Sequence, residues 1–283
     1  MSESRFMIEI SGLTKNYGKI RAVANLSLSI KSGEVFGLLG PNGAGKTTTI
    51  KLLTTLSRPD SGSCRIDDVD VVKNPLEIKE KIGVVPQENN LDRELTAQEN
   101  LLIYGMLHRV SDRKRKIREA LKMVGLWDRK DTVVSGFSGG MKRRLLIARA
   151  LLPEPSVLFL DEPSIGLDPQ IRRQMWEVIR KTRIDGRTVV ITTHYIEEAE
   201  VLCDRVCILF KGSLIALDTP GNLKSSVGEY IVEFIDTEGR LVQDICKSRD
   251  EAHEIAKQKN SSVTIRKSNL EDVFIKLTGG RIE

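Results

Sequence analysis

The sequence predicts an α/β protein built on a mostly parallel sheet. Short apolar runs, at residues 35–39, 157–160 and 189–193, alternate with stretches of helical periodicity. Strands that alternate with helices indicate parallel strands joined by crossover helices. The 283 residues suffice for one large or two unequal domains, and the ordinary charged fraction of 29% excludes a disordered or fibrous chain.

Two regions of the sequence depart from this alternation of strands and helices. Residues 8–30 are predicted as strands and turns, because apolar residues alternate with serines from Leu26 to Ile30. We expect an antiparallel β subdomain there. Residues 89–152 instead have helical texture, with a capping box that begins at Thr96. We therefore predict a helical insertion over about 89–152.

A domain boundary is predicted near residues 225–228. Beyond it, the pattern has the order strand, strand, helix, strand, helix, which describes a small α+β appendage. Capping boxes at Ser248 and Ser268 mark the starts of its two helices. The prediction is a large domain over residues 1–224 and a small C-terminal accessory domain over 225–283.

The charge and the cysteine content indicate the kind of ligand and the cellular compartment of the protein. The net charge is +5, with +7 before residue 225 and −2 from there to the end; a basic larger region suits a domain that handles polyphosphate or lies near anionic headgroups. The four cysteines lack the spacing of a zinc site, so we expect inert thiols in a reducing compartment. No apolar stretch approaches the ~20 residues of a membrane span, and the N-terminus lacks an apolar signal region. We expect a cytoplasmic location.

A glycine-rich loop connects the first apolar run to the helix that follows it. Residues 40–47 read Gly-Pro-Asn-Gly-Ala-Gly-Lys-Thr, which matches the phosphate-binding pattern G-x-x-x-x-G-K-[ST]. Its glycines let backbone N–H groups surround phosphate oxygens, and the helix N-terminus adds positive potential. Lys46 is placed to reach the β- and γ-phosphates, and the Thr47 hydroxyl to coordinate Mg²⁺, which prefers hard oxygen ligands.

A second apolar run ends in two carboxylates. Residues 157–160 lead into Asp161 and Glu162, at the edge where open α/β sheets bind ligands. We predict that Asp161 holds Mg²⁺. Adjacent strand residues point to opposite sides, so Glu162 is free to polarise the attacking water as general base. The loop and the acidic strand together predict an enzyme that hydrolyses a nucleotide phosphate bond.

A third motif narrows the class of enzyme. Residues 137–142 read Phe-Ser-Gly-Gly-Met-Lys and resemble the ATP-binding-cassette (ABC) signature, Leu-Ser-Gly-Gly-Gln. Over about residues 8–210 the chain resembles the ATP-binding subunit of an ABC transporter. The Ser138 hydroxyl, the bare N–H groups after it and the helix dipole converge on one point, which we expect to be a γ-phosphate. The resemblance implies that this γ-phosphate is bound by a second copy. Met141 and Phe137 depart from the usual residues, and we expect no loss of activity from them.

The resemblance implies roles for further residues. Gln87 is similar to a glutamine that touches Mg²⁺ and the attacking water, His194 to a switch histidine at the γ-phosphate, and Tyr17 to an aromatic side chain that stacks on adenine. Residues 164–168 look like the loop that crosses the dimer interface. The implied catalytic residues are Glu162, His194, Gln87 and Lys46; the implied nucleotide ligands are Tyr17, Gly40, Pro41, Asn42, Gly43, Ala44, Gly45, Lys46, Thr47, Thr48, Ser138, Gly139 and Gly140; the implied metal ligands are Thr47, Gln87 and Asp161.

The resemblance also implies a motor that uses ATP and Mg²⁺ as cofactors. Two ATP molecules would close a head-to-tail dimer, formed with a second copy or a related subunit, and would drive separate membrane permease subunits at the inner face of the cell membrane. The form of the signature and residues 270–279 resemble the drug- and lipid-exporting group. The expected cargo is therefore a drug-like or lipid-like compound.

Two alternative functions are compatible with the motifs. A soluble ABC switch that acts on the ribosome or on nucleic acid would suit the pI of about 9.0. The basic run at 113–118 lacks interleaved aromatic residues for base stacking, which argues against a nucleic-acid partner. The other alternative is a nucleotide-regulated binding module without turnover, but Glu162 and His194 are both present.

Overall fold

The computed structural model describes residues 5–236, 238–259 and 262–279, and these residues form three β-sheets and ten α-helices. The central sheet has five parallel strands and one antiparallel edge strand. In spatial order its strands are β10 (Ser213–Asp218), β9 (Arg205–Phe210), β3 (Val35–Leu39), β8 (Thr188–Thr193), β7 (Val157–Asp161) and β6 (Ile82–Val85).

Burial on both faces explains why the central strands are apolar runs. Every residue of β3, β7 and β8 is buried, as expected for a parallel sheet covered by helices on both sides. The runs predicted at 35–39, 157–160 and 189–193 are therefore confirmed as central strands. In the structure β7 extends to Asp161, and β8 begins at Thr188.

A separate antiparallel sheet packs against the helix that follows the glycine-rich loop. Leu26, Leu28 and Ile30 are buried and share a core with Ile50 and Leu52 of the helix after the glycine-rich loop. The predicted antiparallel β subdomain is confirmed. Its strands, in spatial order, are β2 (Ile20–Lys31), β1 (Phe6–Tyr17), β4 (Ser61–Ile66) and β5 (Val69–Asp70).

The predicted helical insertion consists of helices α3, α4 and α5, and short 3-10 turns connect α4 to α5. At its start the Thr96 hydroxyl accepts from the Glu99 N–H at 3.2 Å, and the Glu99 carboxylate accepts from the Thr96 N–H at 2.8 Å. None of the described helices is both long enough and apolar enough to cross a membrane. The helices are α1 (Lys46–Leu53), α2 (Pro75–Lys81), α3 (Ala97–Leu107), α4 (Arg113–Met123), α5 (Gly139–Leu151), α6 (Pro169–Ile184), α7 (Ile196–Leu202), α8 (Pro220–Val227), α9 (Arg249–Lys257) and α10 (Leu270–Thr278).

The C-terminal segment forms the third sheet and the last two helices. Its order along the chain is strand, strand, helix, strand, helix, as predicted. Helix α9 covers one face of the sheet through Ala252, which packs with Val232. Helix α10 instead packs on α7 and α8, and its buried apolar side chains join the main core. The strands, in spatial order, are β12 (Leu241–Cys246), β11 (Tyr230–Ile235) and β13 (Val263–Lys267).

The cap of α10 differs from the sequence prediction by one residue. Asn269 is the N-cap, and its side chain accepts from the N–H groups of Glu271 and Asp272, at 2.9 and 3.1 Å. The predicted cap, Ser268, donates its own N–H to the Glu229 carbonyl at 3.0 Å. The prediction is wrong here because the backbone at Ser268 is still engaged with the start of the neighbouring strand.

The four cysteines are buried and unpaired thiols. Burial raises the pKa of Cys207 to about 12 and that of Cys64 to about 11. Because the thiolate is the reactive form of cysteine, these side chains serve as small apolar groups in the core.

Candidate functional site

The glycine-rich loop between β3 and α1 borders a cavity of about 230 Å³ at the C-terminal edge of the central sheet. In open α/β folds this edge is where ligands bind. Of the predicted loop residues, those from 42 to 48 line the cavity, whereas Gly40 and Pro41 do not. Gln87 and Glu162 join the lining from the segments after β6 and β7. The lining residues are Ile20, Ala22, Asn42, Gly43, Ala44, Gly45, Lys46, Thr47, Thr48, Gln87 and Glu162.

Two glycines of the loop are required by close backbone contacts. A Cβ at Gly40 would lie 2.3 Å from the carbonyl oxygen of Leu209. A Cβ at Gly45, where φ is +101°, would lie 2.3 Å from the carbonyl oxygen of Ala22. Neither position tolerates a side chain, so the loop keeps its tight path only with glycine at both.

Lys46 lies in the first turn of α1 and is 5% exposed. Its Nζ donates to the carbonyl oxygens of Gly40 at 2.7 Å and Pro41 at 3.1 Å. The same nitrogen is 3.3 Å from Oε1 of Glu162. The ammonium group is therefore held at the wall of the cavity, where a cation attracts phosphate groups.

Asp161 and Thr47 are brought together although 114 residues separate them along the chain. The Thr47 hydroxyl donates to Oδ1 of Asp161 at 3.2 Å, and the Thr192 hydroxyl donates to the same oxygen at 2.5 Å. Hydroxyl and carboxylate oxygens are the ligands that Mg²⁺ prefers, and the Gln87 side chain lies at the wall of the same cavity. The residues present fit a hard divalent cation.

Glu162 follows β7 in a left-handed backbone conformation, with φ of +50°, which costs a non-glycine residue about 1–2 kcal/mol. Its N–H donates to the carbonyl and hydroxyl oxygens of Thr192, at 3.2 and 2.9 Å. Oε2 of Glu162 is 2.6 Å from Nδ1 of His194. With Lys46 on its other oxygen, this buried carboxylate lies between an ammonium and an imidazole. Such a carboxylate is well placed to orient and deprotonate water.

Tyr17 lies at the tip of the β1–β2 hairpin and is 47% exposed. It pairs with Ile20, which lines the cavity, but Tyr17 is not itself among the lining residues. The structure therefore places this predicted adenine contact next to the cavity mouth, and not in its wall.

The signature residues lie apart from the glycine-rich loop. Ser138 caps α5, and its hydroxyl accepts from the Met141 N–H at 3.3 Å. Ser138 and Gly139 are exposed. A second cavity, of about 170 Å³, is lined by Gly139, Gln87 and residues of the loop before α6. Within one chain, the glycine-rich loop and the signature therefore line different cavities, with Gln87 in both.

The two signature glycines have different structural roles. A Cβ at Gly140 would lie 2.3 Å from Cγ2 of Ile171, so Gly140 allows α5 and α6 to pack closely. A Cβ at Gly139 would meet nothing within 4 Å. Gly139 is thus the position of the pair with open space around it.

Three buried polar residues near the site were not predicted from the sequence. Arg143 and Thr192 form hydrogen bonds with the backbone or side chains of the acidic strand. Glu198 accepts hydrogen bonds from the Ser164 hydroxyl and from Nε1 of Trp176, and burial raises the pKa of its carboxyl. Thr192 was signalled weakly, as a polar residue in the apolar run before His194. The sequence carries no comparable signal for Arg143 or Glu198, because their partners are distant along the chain.

Most basic side chains of the run in α4 form ion pairs or ring contacts at the surface. Arg115 pairs with Asp112 and Glu119, and the Lys116 Nζ is 2.5 Å from the Glu154 carboxylate. The Arg118 guanidinium lies 5.5 Å from the centre of the Trp127 ring. These contacts describe a solvated helix face with local ion pairs.

The fold and site define a class of nucleotide-hydrolysing proteins that join a phosphate-binding loop and an acidic strand to a helical insertion that carries a signature segment. Residues 23–165 match the family model described as ABC transporter. The chain belongs to the ABC transporter family as an ATP-binding subunit, and it is an ATPase of that family.

Curated relatives extend the similarity over almost the whole chain. The Nod factor export ATP-binding protein I of Burkholderia orbicola (strain AU 1054) is 39% identical over 98% of each chain. The daunorubicin/doxorubicin resistance ATP-binding protein of Streptomyces peucetius is 44% identical over 80% of this chain and 69% of that protein. The linearmycin resistance ATP-binding protein of Bacillus subtilis (strain 168) is 43% identical over 78% and 72%.

Solved structures of ATP-binding cassettes share the fold. A dimeric cassette in a post-hydrolysis state, bound to ADP and Pi, has a TM-score of 0.68 at 31% identity and covers 75% of this chain and 98% of that chain. The cbiO1 subunit of the cbiONQ ABC transporter complex from Clostridium perfringens has a TM-score of 0.71 at 29% identity, with 77% and 89% covered.

Proposed function

We propose that this chain is the Mg²⁺-dependent motor subunit of an ABC exporter. In this proposal it closes head to tail on a second copy, or on a related subunit, around two ATP molecules. The closure drives separate permease subunits at the inner face of the cell membrane. The cargo is a drug-like or lipid-like compound.

The observation that carries the proposal is the contact of Glu162 with both Lys46 and His194 at the wall of the loop cavity. Lys46 and the N–H groups of the glycine-rich loop bind the β- and γ-phosphates. Glu162 accepts a proton from the attacking water, and His194, which is 2.6 Å from its carboxylate, keeps that carboxylate oriented. The water oxygen bonds to the γ-phosphorus while the bond from that phosphorus to the β,γ-bridging oxygen breaks, so ADP and inorganic phosphate are released.

The divalent cation is proposed from the oxygen donors next to the loop. Thr47 and Asp161, whose side-chain oxygens are 3.2 Å apart, would hold Mg²⁺, with Gln87 as the third ligand. When bound, Mg²⁺ neutralises charge on the β- and γ-phosphate oxygens. The residues of the chain orient the nucleotide, and Tyr17 stacks on its adenine from the hairpin tip.

Dimer formation is supported by the separation of the two cavities. Ser138, Gly139 and Gly140 are outside the lining of the loop cavity, although a capped helix N-terminus is suited to bind phosphate. A second copy related by a twofold axis would present its signature to this chain's nucleotide, and the reverse. One similar solved structure is a dimeric cassette bound to ADP and Pi.

Coupling to a permease is supported by an apolar surface on the helical insertion. Ile103, Met106 and Leu107 of α3 are exposed, and Leu107 and Leu76 both line a broad cavity of about 780 Å³. Apolar side chains that are exposed together on one helix are typical of interaction sites. The names of the curated relatives, which refer to export and drug resistance, favour export over an action on the ribosome or nucleic acid.

The experiment that tests the proposal is a pull-down of the tagged chain from native membranes in mild detergent. A multi-helix membrane protein should copurify with the wild type and with Ile184→Glu, a control on an exposed apolar residue of α6. Leu107→Glu should lose most of that protein. A chain that brings ribosomes or nucleic acid, and no membrane protein, would contradict the transport function and leave the ATPase intact.

A further inference from the structure

Arg143 is a buried cation in the second turn of the signature helix α5. It is 7% exposed, and the residues that follow it in the helix, Leu145, Leu146 and Ile147, belong to the main apolar core. Its guanidinium nevertheless makes hydrogen bonds to backbone carbonyl groups outside its own helix. These carbonyl groups belong to the last residue of β7 and to the segments that follow β6 and β7.

Two of these hydrogen bonds flank Glu162. Nη2 of Arg143 donates to the Asp161 carbonyl at 2.5 Å, and Nε donates to the Pro163 carbonyl at 3.1 Å. The residue between these two carbonyls is Glu162, which has a φ of +50°. A left-handed residue persists where its surroundings determine the backbone on both sides. Arg143 supplies that constraint from the helix side, as Thr192 does from the sheet side.

The remaining hydrogen bonds hold the start of the Gln87 loop. Nη1 of Arg143 donates to the Pro86 carbonyl and, at 3.4 Å, to the Gln87 carbonyl. Arg143 also lines the second cavity beside Gln87 and Gly139. One planar group therefore links the signature helix to both chain segments that carry candidate catalytic residues, a geometry that a guanidinium with its fixed fork of donors can satisfy.

Core stability does not account for a charged group in this position. Burial lowers the pKa of Arg143 to about 10, while the nearby carboxylates of Asp161, Glu198 and Glu162 act in the opposite direction. The side chain therefore remains protonated at neutral pH. A buried charge costs desolvation energy, and an apolar side chain of similar volume often packs with equal or better stability.

We propose that Arg143 is a positioning residue for hydrolysis, which fixes the backbone on both sides of Glu162 and holds the Gln87 loop against the strand ends. This inference rests on the proposed function, in which Glu162 is the general base. Arg143 acts through Glu162 and the backbone, and it does not touch the nucleotide.

Arg144 provides a matched control in the same helix. Its Nη1 donates to the Val124 carbonyl at 3.2 Å, within the helical insertion. Burial lowers its pKa as it does that of Arg143. Arg144 therefore shares the residue type, the helix and partial burial, but its described hydrogen bond does not reach the catalytic strands.

The test compares Arg143→Lys and Arg143→Met with Arg144→Lys and Arg144→Met. ATP affinity is measured by displacement of a fluorescent ATP analogue, and kcat and KM are measured for ATP hydrolysis. We expect both Arg143 variants to keep the Kd within about threefold and to lose at least about tenfold in kcat, with Lys less impaired than Met. The Arg144 variants should keep kcat within about threefold.

Two results would overturn the inference. One is an Arg143→Met enzyme with wild-type kcat. The other is a parallel loss of ATP affinity, kcat and melting temperature in both Arg143 variants, which would indicate a merely structural role. If Arg143→Met does not fold, the Arg143→Lys protein decides through the same separation of kcat from Kd.

A double-mutant cycle identifies the residue through which Arg143 acts. In single-turnover hydrolysis, Arg143→Lys should slow the Glu162→Gln protein by a much smaller factor than it slows the wild type, because the positioned carboxylate has been removed. Effects that multiply would contradict action through Glu162. A wild-type chain without Mg²⁺-dependent ATPase activity would instead overturn the proposed function itself, so the two failures are distinguishable.

Discussion

At the scale of single residues, the site depends on a few side chains that each contact several chain segments. Thr192 donates to Asp161 and accepts from the Glu162 N–H, so it fixes both acidic residues with one hydroxyl. Lys46 contacts the loop carbonyls and Glu162. The loss of any one of these contacts therefore affects more than one element of the site.

Lys46→Ala should weaken ATP binding, because it removes the cation at the wall of the loop cavity. We expect the Kd for ATP to rise at least about tenfold, which is about 1.4 kcal/mol. Isothermal titration calorimetry measures this directly. Lys51→Ala, an exposed lysine in the last turn of the same helix, is the control and should bind ATP normally. Unchanged affinity in Lys46→Ala would contradict its role as a phosphate ligand.

Glu198 should make folding stability dependent on pH in a predictable direction. Burial raises its pKa above the ordinary value of 4.5, so between these two values the native state keeps a proton that the unfolded state has lost. Stability from this group is therefore lost as pH rises. Measured by urea unfolding, the stability of Glu198→Gln relative to wild type should increase as the pH rises above the ordinary pKa of 4.5.

Glu197→Gln is the control for this pH dependence, since Glu197 begins the same helix with a largely exposed side chain. Its stability relative to wild type should stay constant over the same pH range. A Glu198→Gln protein whose relative stability falls with rising pH would show that the buried carboxyl is stabilised as an anion.

Much of the candidate site is visible in the sequence, because its central motif is local. The glycine-rich loop, Lys46 and Thr47 lie within one short segment between a strand and a helix. The acidic pair at the end of β7 and His194 at the end of β8 are also visible as polar residues after buried runs. Arg143 could not be predicted, because its partners are carbonyl groups of residues 86, 87, 161 and 163, and backbone groups carry no sequence signal.

At the scale of elements, the first turn of helix α5 both packs against α6 and exposes residues to solvent. Gly140 faces Ile171 of α6, whereas Gly139 is exposed beside Ser138. Gly140 is therefore required for packing, whereas Gly139 belongs to the surface that a second copy would contact.

Alanine substitutions at these glycines should have opposite consequences. Gly140→Ala should lower the free energy of unfolding by about 1–3 kcal/mol, because the added methyl group overlaps Ile171. Gly139→Ala has open space and should keep or slightly raise stability, but it should reduce ATP hydrolysis severalfold by placing a methyl group toward the partner's nucleotide. Chemical denaturation and a phosphate-release assay measure the two effects. Equal stability of both variants would contradict the packing role of Gly140.

Element boundaries show which parts of the fold the sequence predicts well. Strands buried on both faces, such as β3 and β7, were predicted from uninterrupted apolar runs. The start of α10 was misplaced, because two overlapping capping patterns begin at Ser268 and Asn269 and propensity does not distinguish them. The choice is made by the Ser268 N–H, which is bonded to the Glu229 carbonyl.

At the scale of the whole molecule, α10 connects the C-terminal segment to the ATPase core. Its Leu270, Val273 and Phe274 are fully buried in the main cluster, and the Phe274 ring meets that of Phe210 edge to face at 5.7 Å. Arg266 forms a two-pronged ion pair with Asp272 that ties β13 to the same helix. We propose that residues 225–283 act as an accessory domain whose last helix is part of the larger core.

Phe274→Ala should therefore destabilise the ATPase and not just the C-terminal segment. We expect a loss of about 3–5 kcal/mol in the free energy of unfolding, seen by denaturation and by reduced melting temperature of the ATP-bound protein. Leu277→Ala, which truncates a half-exposed side chain of the same helix, should cost far less. A Phe274→Ala protein with an unchanged ATP-stabilised transition would show that the C-terminal segment folds separately.

In the proposed mechanism two copies of the chain enclose ATP, and Glu162 acts as the general base for its hydrolysis. The most direct measurement is the molar mass of Glu162→Gln in solution, by light scattering after size exclusion, with and without ATP and Mg²⁺. We predict a mass twice that of the 31.7 kDa chain with ATP, and hydrolysis about 100-fold or more below wild type. A Glu162→Gln protein that stays monomeric with ATP bound, or that hydrolyses ATP at the wild-type rate, would contradict the account.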